Sequence, residues 1–297
     1  MSNITGKPIE TGIIGGSGIY AIDGFQLLEE KSISTSFGEP SDSYIIGELG
    51  GIRVAFLPRH GRNHHLLPSE INYRANIYGF KVLGVTSIIG ITAVGSLQDE
   101  FPPLHLVIPD QLIDRTVSRK PTFFGQGIAA HIPFAEPFCP LLSKQIYDAA
   151  TPVTPEISKG GTLVTIDGPA FSTRAESNLY RQWGGDLIGM TTYQEAKLAR
   201  EAEICYAALA MVTDYDCWKE ESADEVTVTT VVSNMHKNSA NAQAILTGLL
   251  PQISTVKTCH CNKSLQGAIM TNPESIPDET LEKLRLLIEG TLNTPKG

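Results

Sequence analysis

The sequence has no apolar run long enough to cross a membrane, and its first residues, 1–11, are polar. A membrane-spanning helix needs ~20 mostly apolar residues, and a secretory signal needs an apolar core before its cleavage site. We therefore expect neither, and a cytoplasmic location. Basic residues are also scarce, with 23 Lys and Arg against 32 Asp and Glu and a net charge of −9. Because such a surface repels nucleic-acid phosphate and anionic lipid, we expect no nucleic-acid partner and no membrane partner.

Cysteine is sparse, and its odd count does not indicate a disulfide framework. The five cysteines are Cys139, Cys205, Cys217, Cys259 and Cys261. Cys259 and Cys261 form the one local cluster, which we interpret as a pair of ordinary thiols; a disulfide within this C-x-C is an alternative. A zinc site is less favoured, because structural zinc needs four ligands and no second Cys/His cluster lies nearby in the sequence. We therefore expect no metal.

Complete nucleotide-binding fingerprints are absent as well. The turn Gly15-Gly16-Ser17-Gly18 fits neither the dinucleotide G-x-G-x-x-G spacing nor a Walker loop. The flexible backbone amides of such a turn, helped by the Ser17 hydroxyl, can nevertheless surround a small anion. A plain tight turn and an anion site both remain open for this segment.

The sequence does contain many short apolar segments, and 41 % hydrophobic residues suffice for a buried core. Near-continuous apolar runs, typical of strands buried on both faces, occur at 85–91 and 204–212. Further strands are predicted over 52–57, 104–108, 162–166 and 186–190. Helices are predicted over 69–83 with Ser69 as N-cap, after a capping box of Thr192 and Glu195, over 226–250 and over 277–290. We expect one α/β domain over 1–297, with a surface loop at 149–161.

Small or polar residues follow several of these strands, and in α/β sheets the carboxyl ends of strands are where ligands bind. Residues of this kind, which we expect to converge, are Ser17, Arg59, Thr92, Ser172, Thr191 and Asp214. The segment 58–65 holds two arginines and three histidines, and arginine binds phosphate through its planar fork. Thr191 precedes a predicted helix, whose free amides favour an anion. A solvated polar loop at 58–65 and simple capping at Thr191 are the alternatives.

Asp214 and Asp216 follow a buried strand with one residue between them, so on extended backbone they face the same side. Adenine presents a 6-amino donor beside the N7 acceptor. One carboxylate can accept from the amino group while the other, protonated, donates to N7 and makes adenine a better leaving group. A turn pair and a divalent metal site are the alternatives.

With these residues in hand, the chain resembles the 5′-methylthioadenosine phosphorylases, within the trimeric purine nucleoside phosphorylase family. The resemblance covers about 12–250 and rests on an ordered series of motifs: GIIGGSGIY (12–20), FGEPSD (37–42), PRHGRNHHLLPSEINYRANI (58–77), TAVGSL (92–97), QLIDRT (111–116), HIPFAEPFCP (131–140), IDGPAFSTRAES (166–177), GMTTYQEAKLAREAEICYA (189–207) and TDYDCW (213–218). It implies a single α/β domain with a mixed central β-sheet flanked by helices.

The resemblance also implies phosphorolysis of methylthioadenosine, with phosphate as co-substrate and no metal or organic cofactor. Phosphate is expected at Ser17, Arg59, His60, Thr92, Ala93 and Thr191. The nucleoside is expected at Phe171, Ser172, Met190, His64, Val228, Val231 and Val232, with Asp214 and Asp216 as the catalytic pair on the purine edge. His131 is expected to reach a neighbouring subunit's site, which implies a homotrimer.

Substrate choice depends on two features. Asp214 suits a 6-amino group, whereas the related 6-oxopurine phosphorylases carry asparagine there. The valine-rich run 226–232 favours a methylthio group over a 5′-hydroxyl, by only ~1–3 kcal/mol. The alternatives are a phosphorylase of 6-oxopurine nucleosides or methylthioinosine, a nucleosidase that uses water, and a purine-binding module without activity.

Overall fold

The computed structural model describes residues 8–16, 22, 24–219, 228–255 and 258–292. The strands within these ranges are β1 (Thr11–Gly15), β2 (Gln26–Lys31), β3 (Tyr44–Leu49), β4 (Ile52–Pro58), β5 (Ser87–Ser96), β6 (Leu106–Ile108), β7 (Gln111–Asp114), β8 (Ile157–Lys159), β9 (Thr162–Thr165), β10 (Leu187–Gly189) and β11 (Cys205–Tyr215). The helices are α1 (Tyr73–Val82), α2 (Pro140–Ala150), α3 (Arg174–Gln182), α4 (Thr192–Glu201), α5 (Val228–Leu249) and α6 (Asp278–Leu292). Among them, no helix combines the length and apolar character that crossing a membrane requires.

All the described strands join one sheet, whose main path runs β2-β3-β4-β1-β5-β10-β9-β7, while β11, β6 and β8 branch from β5. The centre is parallel, since β1 pairs in parallel with β4 and β5, and β11 does so with β5. Antiparallel pairs join β3 to β4 and β10 to β5. The predicted mixed sheet flanked by helices is therefore confirmed.

The two faces of the sheet bury two separate apolar layers. Successive residues of β1 point to opposite faces, so Ile14 packs with the layer of α1, α4 and α6, while Ile13 packs with the layer of α2 and α5. This double covering explains the long apolar runs of β5 and β11, because a strand with helices on both faces has no solvated side.

Both central strands run further than predicted. Pairing continues to Ser96 and Tyr215, with a register shift between Val212 and Asp214. The polar residues expected to follow the strands are therefore part of them. Their backbone positions are fixed by the sheet, which suits residues that must hold a ligand.

Three local predictions are wrong. Helix α1 begins at Tyr73, not near Ser69, because the side chain of Asn72 accepts from the Ala75 N–H and caps the helix there. The expected loop at 149–161 contains β8, which pairs with β6 and buries Ile157. The third is the treatment of Cys259 and Cys261 as an isolated local pair, because the fold brings Cys139 and Cys205, distant in sequence, beside them.

Candidate active site

One edge of the sheet collects most of the predicted phosphate-binding residues. Because β1, β4, β5 and β11 run parallel, their carboxyl ends lie together. The Arg59 N–H donates to the Gly15 carbonyl over 3.0 Å, which fixes the chain just beyond β4 against the end of β1. Thr92 and Ala93 lie in β5, buried and half-buried respectively. The predicted Ser17 lies outside the described residues.

Thr191 reaches this edge through a strand that runs antiparallel to β5. β10 is antiparallel to the end of β5, with Leu187 opposite Ser96 and Ile188 opposite Gly95. This register directs the following residues, Met190 and Thr191, back toward Ala93 and Thr92. Thr191 is buried and is the N-cap residue of α4.

The capping box predicted at the start of α4 does not form. Thr191, not Thr192, is the N-cap, and it makes no side-chain capping hydrogen bond. The Glu195 carboxylate, which a capping box would turn back to the helix start, instead lies buried against Arg59. The first amides of α4 therefore have no side-chain cap, and a helix N-terminus of this kind favours an anion.

Arg59 and Glu195 form a buried ion pair, with 3 % and 1 % of their surfaces exposed. Arg59 Nε donates to Glu195 Oε1 over 2.5 Å and Nη2 to Oε2 over 3.1 Å, while the Tyr206 hydroxyl donates to Oε2 over 2.8 Å. Burial opposes the charge of Arg59, but the attraction of Glu195 outweighs it and raises the pKa of the guanidinium. Arg59 is thus a permanent cation held in one orientation.

His60 is arranged as a neutral hydrogen-bond acceptor. Its Nδ1 lies 2.8 Å from the Leu66 carbonyl, so Nδ1 carries the proton and Nε2 keeps a lone pair. Burial lowers the pKa of His60 to about 4, and the neighbouring Arg59 charge adds to this effect. The exposed His64 stacks on it, with ring centroids 4.2 Å apart. Gly61, at φ 73°, makes the turn between them, and a Cβ there would lie 2.2 Å from the His65 ring.

Asp214 and Asp216 lie on the same side of the chain at the end of β11, as predicted. A Cβ at Gly95 of the neighbouring strand would lie 3.1 Å from Asp214 Oδ2 and 3.6 Å from Asp216 Cβ. Burial raises the pKa of Asp214 to about 6; the hydrogen bond from the Thr213 hydroxyl opposes this rise, and the nearby Asp216 adds to it. Near neutral pH, Asp214 is therefore an acid that both holds and releases a proton.

Asp216 faces two hydroxyl groups. Burial raises its pKa, and Ser177 and Ser172 lie close enough to moderate the rise. Even so, Asp216 Oδ2 and both hydroxyl oxygens are buried without a well-formed hydrogen bond among the described residues. The Cys217 thiol donates to the Ser172 carbonyl over 3.2 Å and holds this loop near the aspartates. A group with polar edge atoms would satisfy these partners.

Phe171, Met190 and three valines, also predicted to bind the nucleoside, are apolar. Phe171 is 43 % exposed, next to Ser172. The Met190 sulfur lies where a side chain at Gly168 would stand, 2.4 Å from that Cβ position. Val228, Val231 and Val232 share one face of the first turns of α5, and Val228 is 68 % exposed. Asn234 of the same helix donates to the Thr213 carbonyl over 2.7 Å, which ties α5 to the end of β11.

His131 is exposed, and its N–H donates to the Ala268 carbonyl over 2.9 Å. Among the described residues, no hydrogen bond or ring contact joins its side chain to the rest of the predicted site. The expectation that it serves a neighbouring subunit stays a prediction.

Two structural supports were missed in the sequence, Glu195 and Arg119. The side chain of Arg119 is 2 % exposed and donates to the carbonyls of Met190 (2.5 Å), Ile166 (3.2 Å) and Asp167 (2.9 Å), and to Gln194 Oε1 (2.7 Å). It thereby joins the loop after β9 to the start of α4. No local pattern marks Arg119, which looks like an ordinary surface charge in the sequence, and the pattern around Glu195 predicted a capping box instead.

Comparison with known proteins agrees with this arrangement. Residues 10–251 match the phosphorylase superfamily. The chain is 52 % identical over 279 residues to the S-methyl-5′-thioadenosine phosphorylase of Koribacter versatilis, covering 94 % of this chain and 95 % of that protein. It is 53 % identical over 297 aligned positions to the same enzyme of Synechocystis, covering 97 % and 88 % respectively.

Solved structures give the same result. The crystal structure of a methylthioadenosine phosphorylase from an antarctic soil metagenomic library superposes with a TM-score of 0.90 at 44 % identity, covering 95 % of this chain and 99 % of that one. The Schistosoma mansoni methylthioadenosine phosphorylase in complex with adenine gives a TM-score of 0.81 at 37 % identity, covering 86 % and 96 %. With the fold, the strand-edge residues and relatives along nearly its whole length in agreement, this chain belongs to the S-methyl-5′-thioadenosine phosphorylase family of the phosphorylase superfamily.

Proposed function

We propose that this protein catalyses the phosphorolysis of S-methyl-5′-thioadenosine to adenine and 5-methylthioribose 1-phosphate, a reaction of methionine and purine salvage. The observation that carries the proposal is the buried pair Asp214 and Asp216, which lies at the same sheet edge as Arg59 and Thr92. A nucleoside phosphorylase requires a purine-binding site next to a phosphate-binding site. The Schistosoma mansoni relative, solved with adenine, supports the choice of base.

Phosphate is proposed to bind at Ser17, Arg59, His60, Thr92, Ala93 and Thr191. The described contacts of Arg59 leave one Nη1 hydrogen for an anion. The unprotonated Nε2 of His60 accepts from a phosphate hydroxyl, while the start of α4 supplies amides and the positive end of a helix dipole. An oxygen of this phosphate forms the new bond to C1′ of the ribose.

Cleavage breaks the bond between C1′ and N9, and its electron pair passes to adenine. The ribose becomes positively charged in the transition state, and the phosphate dianion held beside it stabilises that charge. Holding phosphate and nucleoside together also removes the entropic cost of their encounter. The proposed chemistry uses no organic cofactor and no catalytic metal.

Asp214, with its pKa near 6, is proposed to donate its proton to N7 as the base leaves. An oxygen of the Asp216 carboxyl group accepts a hydrogen bond from the 6-amino group. In this arrangement the Asp216 carboxylate offers no donor to the O6 atom of a 6-oxopurine. This polarity is why we favour adenine nucleosides over 6-oxopurine nucleosides or methylthioinosine.

The sugar and its 5′ substituent are proposed to lie against Met190, His64 and Phe171, with Val228, Val231 and Val232 lining the methylthio group. Their shared face on α5 is apolar, and Asn234 of the same helix ties α5 to the end of β11. A thioether fits such a wall better than a hydroxyl, because a buried hydroxyl without a partner is costly.

The test is an assay of adenine release from methylthioadenosine, adenosine and inosine, each with and without phosphate. We expect turnover only with phosphate and the highest kcat/KM for methylthioadenosine. Equal adenine release in phosphate-free buffer would identify a nucleosidase. Faster cleavage of inosine would contradict the roles of the aspartates, and purine binding without turnover would identify a binding module.

We also propose a cytoplasmic homotrimer in which the exposed His131 completes a neighbouring subunit's site. Sedimentation velocity measures the assembly. Mixed oligomers of His131→Ala and Asp214→Ala subunits provide a sharper measurement, because some sites then contain both intact residues. Recovery of activity on mixing supports the shared site, and no recovery in verified mixed oligomers contradicts it.

A further inference from the structure

Four cysteines from distant parts of the chain meet on the α2 and α5 side of the sheet, in a group that the proposed reaction does not use. Cys139 is the N-cap residue of α2, Cys205 begins β11, and Cys259 and Cys261 belong to the segment after α5. Their sulfur atoms all lie within 4.8 Å of one another.

We propose that Cys139, Cys205, Cys259 and Cys261 bind one structural Zn²⁺ ion. Zinc in structural sites is held tetrahedrally by four ligands, with Zn–S distances of ~2.3 Å, which separates neighbouring sulfurs by ~3.8 Å. The sulfur atoms of Cys205 and Cys259 lie 3.1 Å apart. Small side-chain movements therefore convert the group into a ZnS₄ site.

The mutual packing favours a metal over two disulfides. A disulfide needs only its own two sulfurs, at ~2.05 Å, and does not require a second pair beside it. Here every sulfur lies near the other three. A soft tetrahedral sulfur set selects zinc or iron over harder metals, and we commit to zinc because a structural site needs no redox chemistry.

The surroundings suit a site that solvent does not reach. Cys139, Cys205 and Cys261 are buried and Cys259 is half-buried. Apolar side chains of α2, Leu142 and Ile146, belong to the same core layer. The N-terminus of α2 at Cys139 carries a partial positive charge, which stabilises the net negative charge of a zinc tetrathiolate.

The ion would fasten a segment with little regular structure. Residues 258–271 contain one short 3₁₀ helix, Cys261–Lys263, and are held to the rest of the chain by scattered hydrogen bonds. Those bonds include Ser264 to the Arg200 carbonyl (2.5 Å) and Leu265 N–H to Glu203 (3.0 Å). Zinc would join this segment covalently to α2 and β11, far in sequence from it.

Metal analysis of the full-length protein, purified without oxygen or chelator from zinc-supplemented cells, tests the site. We expect about one zinc per chain, falling to near zero in Cys259→Ser and Cys261→Ser. The matched control is Cys217→Ser, whose thiol lies outside the cluster beside Ser172, and it should keep its zinc. Equal zinc in the control and in the cluster variants would overturn the assignment.

Spectroscopy on the wild-type protein tests the site even if the variants fail to fold. X-ray absorption should show four sulfur neighbours at ~2.3 Å from zinc, and Co²⁺ exchanged into the site should give the visible spectrum of tetrahedral cobalt thiolate. Wild-type protein without metal, with all five thiols titratable or with the mass of two disulfides, would overturn the proposal. So would iron in the place of zinc.

Discussion

Replacing Asp214 by asparagine should stabilise the protein at neutral pH while removing its activity. Burial raises the pKa of Asp214 to about 6 from an ordinary 3.8. Between these two values the folded protein holds a proton that the unfolded chain has released. Stability therefore falls as the pH rises through this window, and the loss is complete above the folded pKa.

The magnitude follows from the shift. A difference of about two pKa units corresponds to ~3 kcal/mol of unfolding free energy at about pH 7.5, and to about half of that at about pH 5. Asparagine carries no charge, and its amide oxygen can still accept the Thr213 hydroxyl, which lies 2.6 Å from Asp214 Oδ1. Asp214→Asn should therefore gain up to ~3 kcal/mol at neutral pH and progressively less in acid.

Urea denaturation from about pH 4.5 to 8, at one protein concentration because assembly contributes to stability, measures this gain. The same samples should show a large loss of kcat on methylthioadenosine, since an amide cannot transfer a proton to N7. A stability gain that does not change with pH would refute the claim that the buried, ionised Asp214 carboxylate destabilises the folded protein. Retained kcat would refute the role of Asp214 as the acid.

Three further outcomes are expected. Asp216→Asn should raise turnover of inosine relative to methylthioadenosine, because its amide N–H can face a 6-oxo group where the Asp216 carboxylate accepts from a 6-amino group; an unchanged ratio would contradict the base assignment. Glu195→Gln leaves the buried Arg59 without its counter-charge, so urea denaturation should show a loss of ~3–5 kcal/mol in unfolding free energy. The phosphate KM should also rise. Unchanged stability would mean that the ion pair does not stabilise the folded protein. Thr191→Val should raise phosphate KM about tenfold through one lost hydrogen bond, whereas the exposed cap variant Thr173→Ala should cost ~1 kcal/mol of stability with phosphate KM unchanged; equal effects on KM would remove Thr191 from the phosphate site.

The features of the fold that could be predicted are those that leave a continuous signal in the sequence. β5 and β11 are covered by helices on both faces, so their residues form apolar runs that indicate buried strands. Since parallel strands end at one edge, the convergence of Arg59, Thr92 and Asp214 could also be expected. The assignment of phosphate and purine to those residues depended on the family resemblance, because spacing alone left a turn and a metal site open.

The features that could not be predicted depend on contacts between distant segments. Cys139 and Cys205 look isolated in the sequence, and only the chain path places them beside Cys259 and Cys261. Arg119 lies in a polar loop and has no periodic pattern around it, yet it is buried under the carbonyls of Met190 and Asp167. A charged side chain enters the interior only where the tertiary structure supplies its partners, and no local pattern reveals them.

Two Thr-x-x-Glu segments with the same spacing form different contacts, because a tertiary ion pair replaces the local capping box in one of them. Thr173 and Glu176 form a complete capping box at the start of α3, where both are exposed. Thr192 and Glu195 have the same spacing, but the buried Arg59 binds the Glu195 carboxylate and prevents the box. A buried guanidinium loses far more without a partner than an exposed helix end loses without a cap, so the ion pair prevails. The ion pair orients Arg59, and it also leaves the first amides of α4 without a side-chain cap. The Glu195 carboxylate therefore affects two parts of the proposed phosphate site.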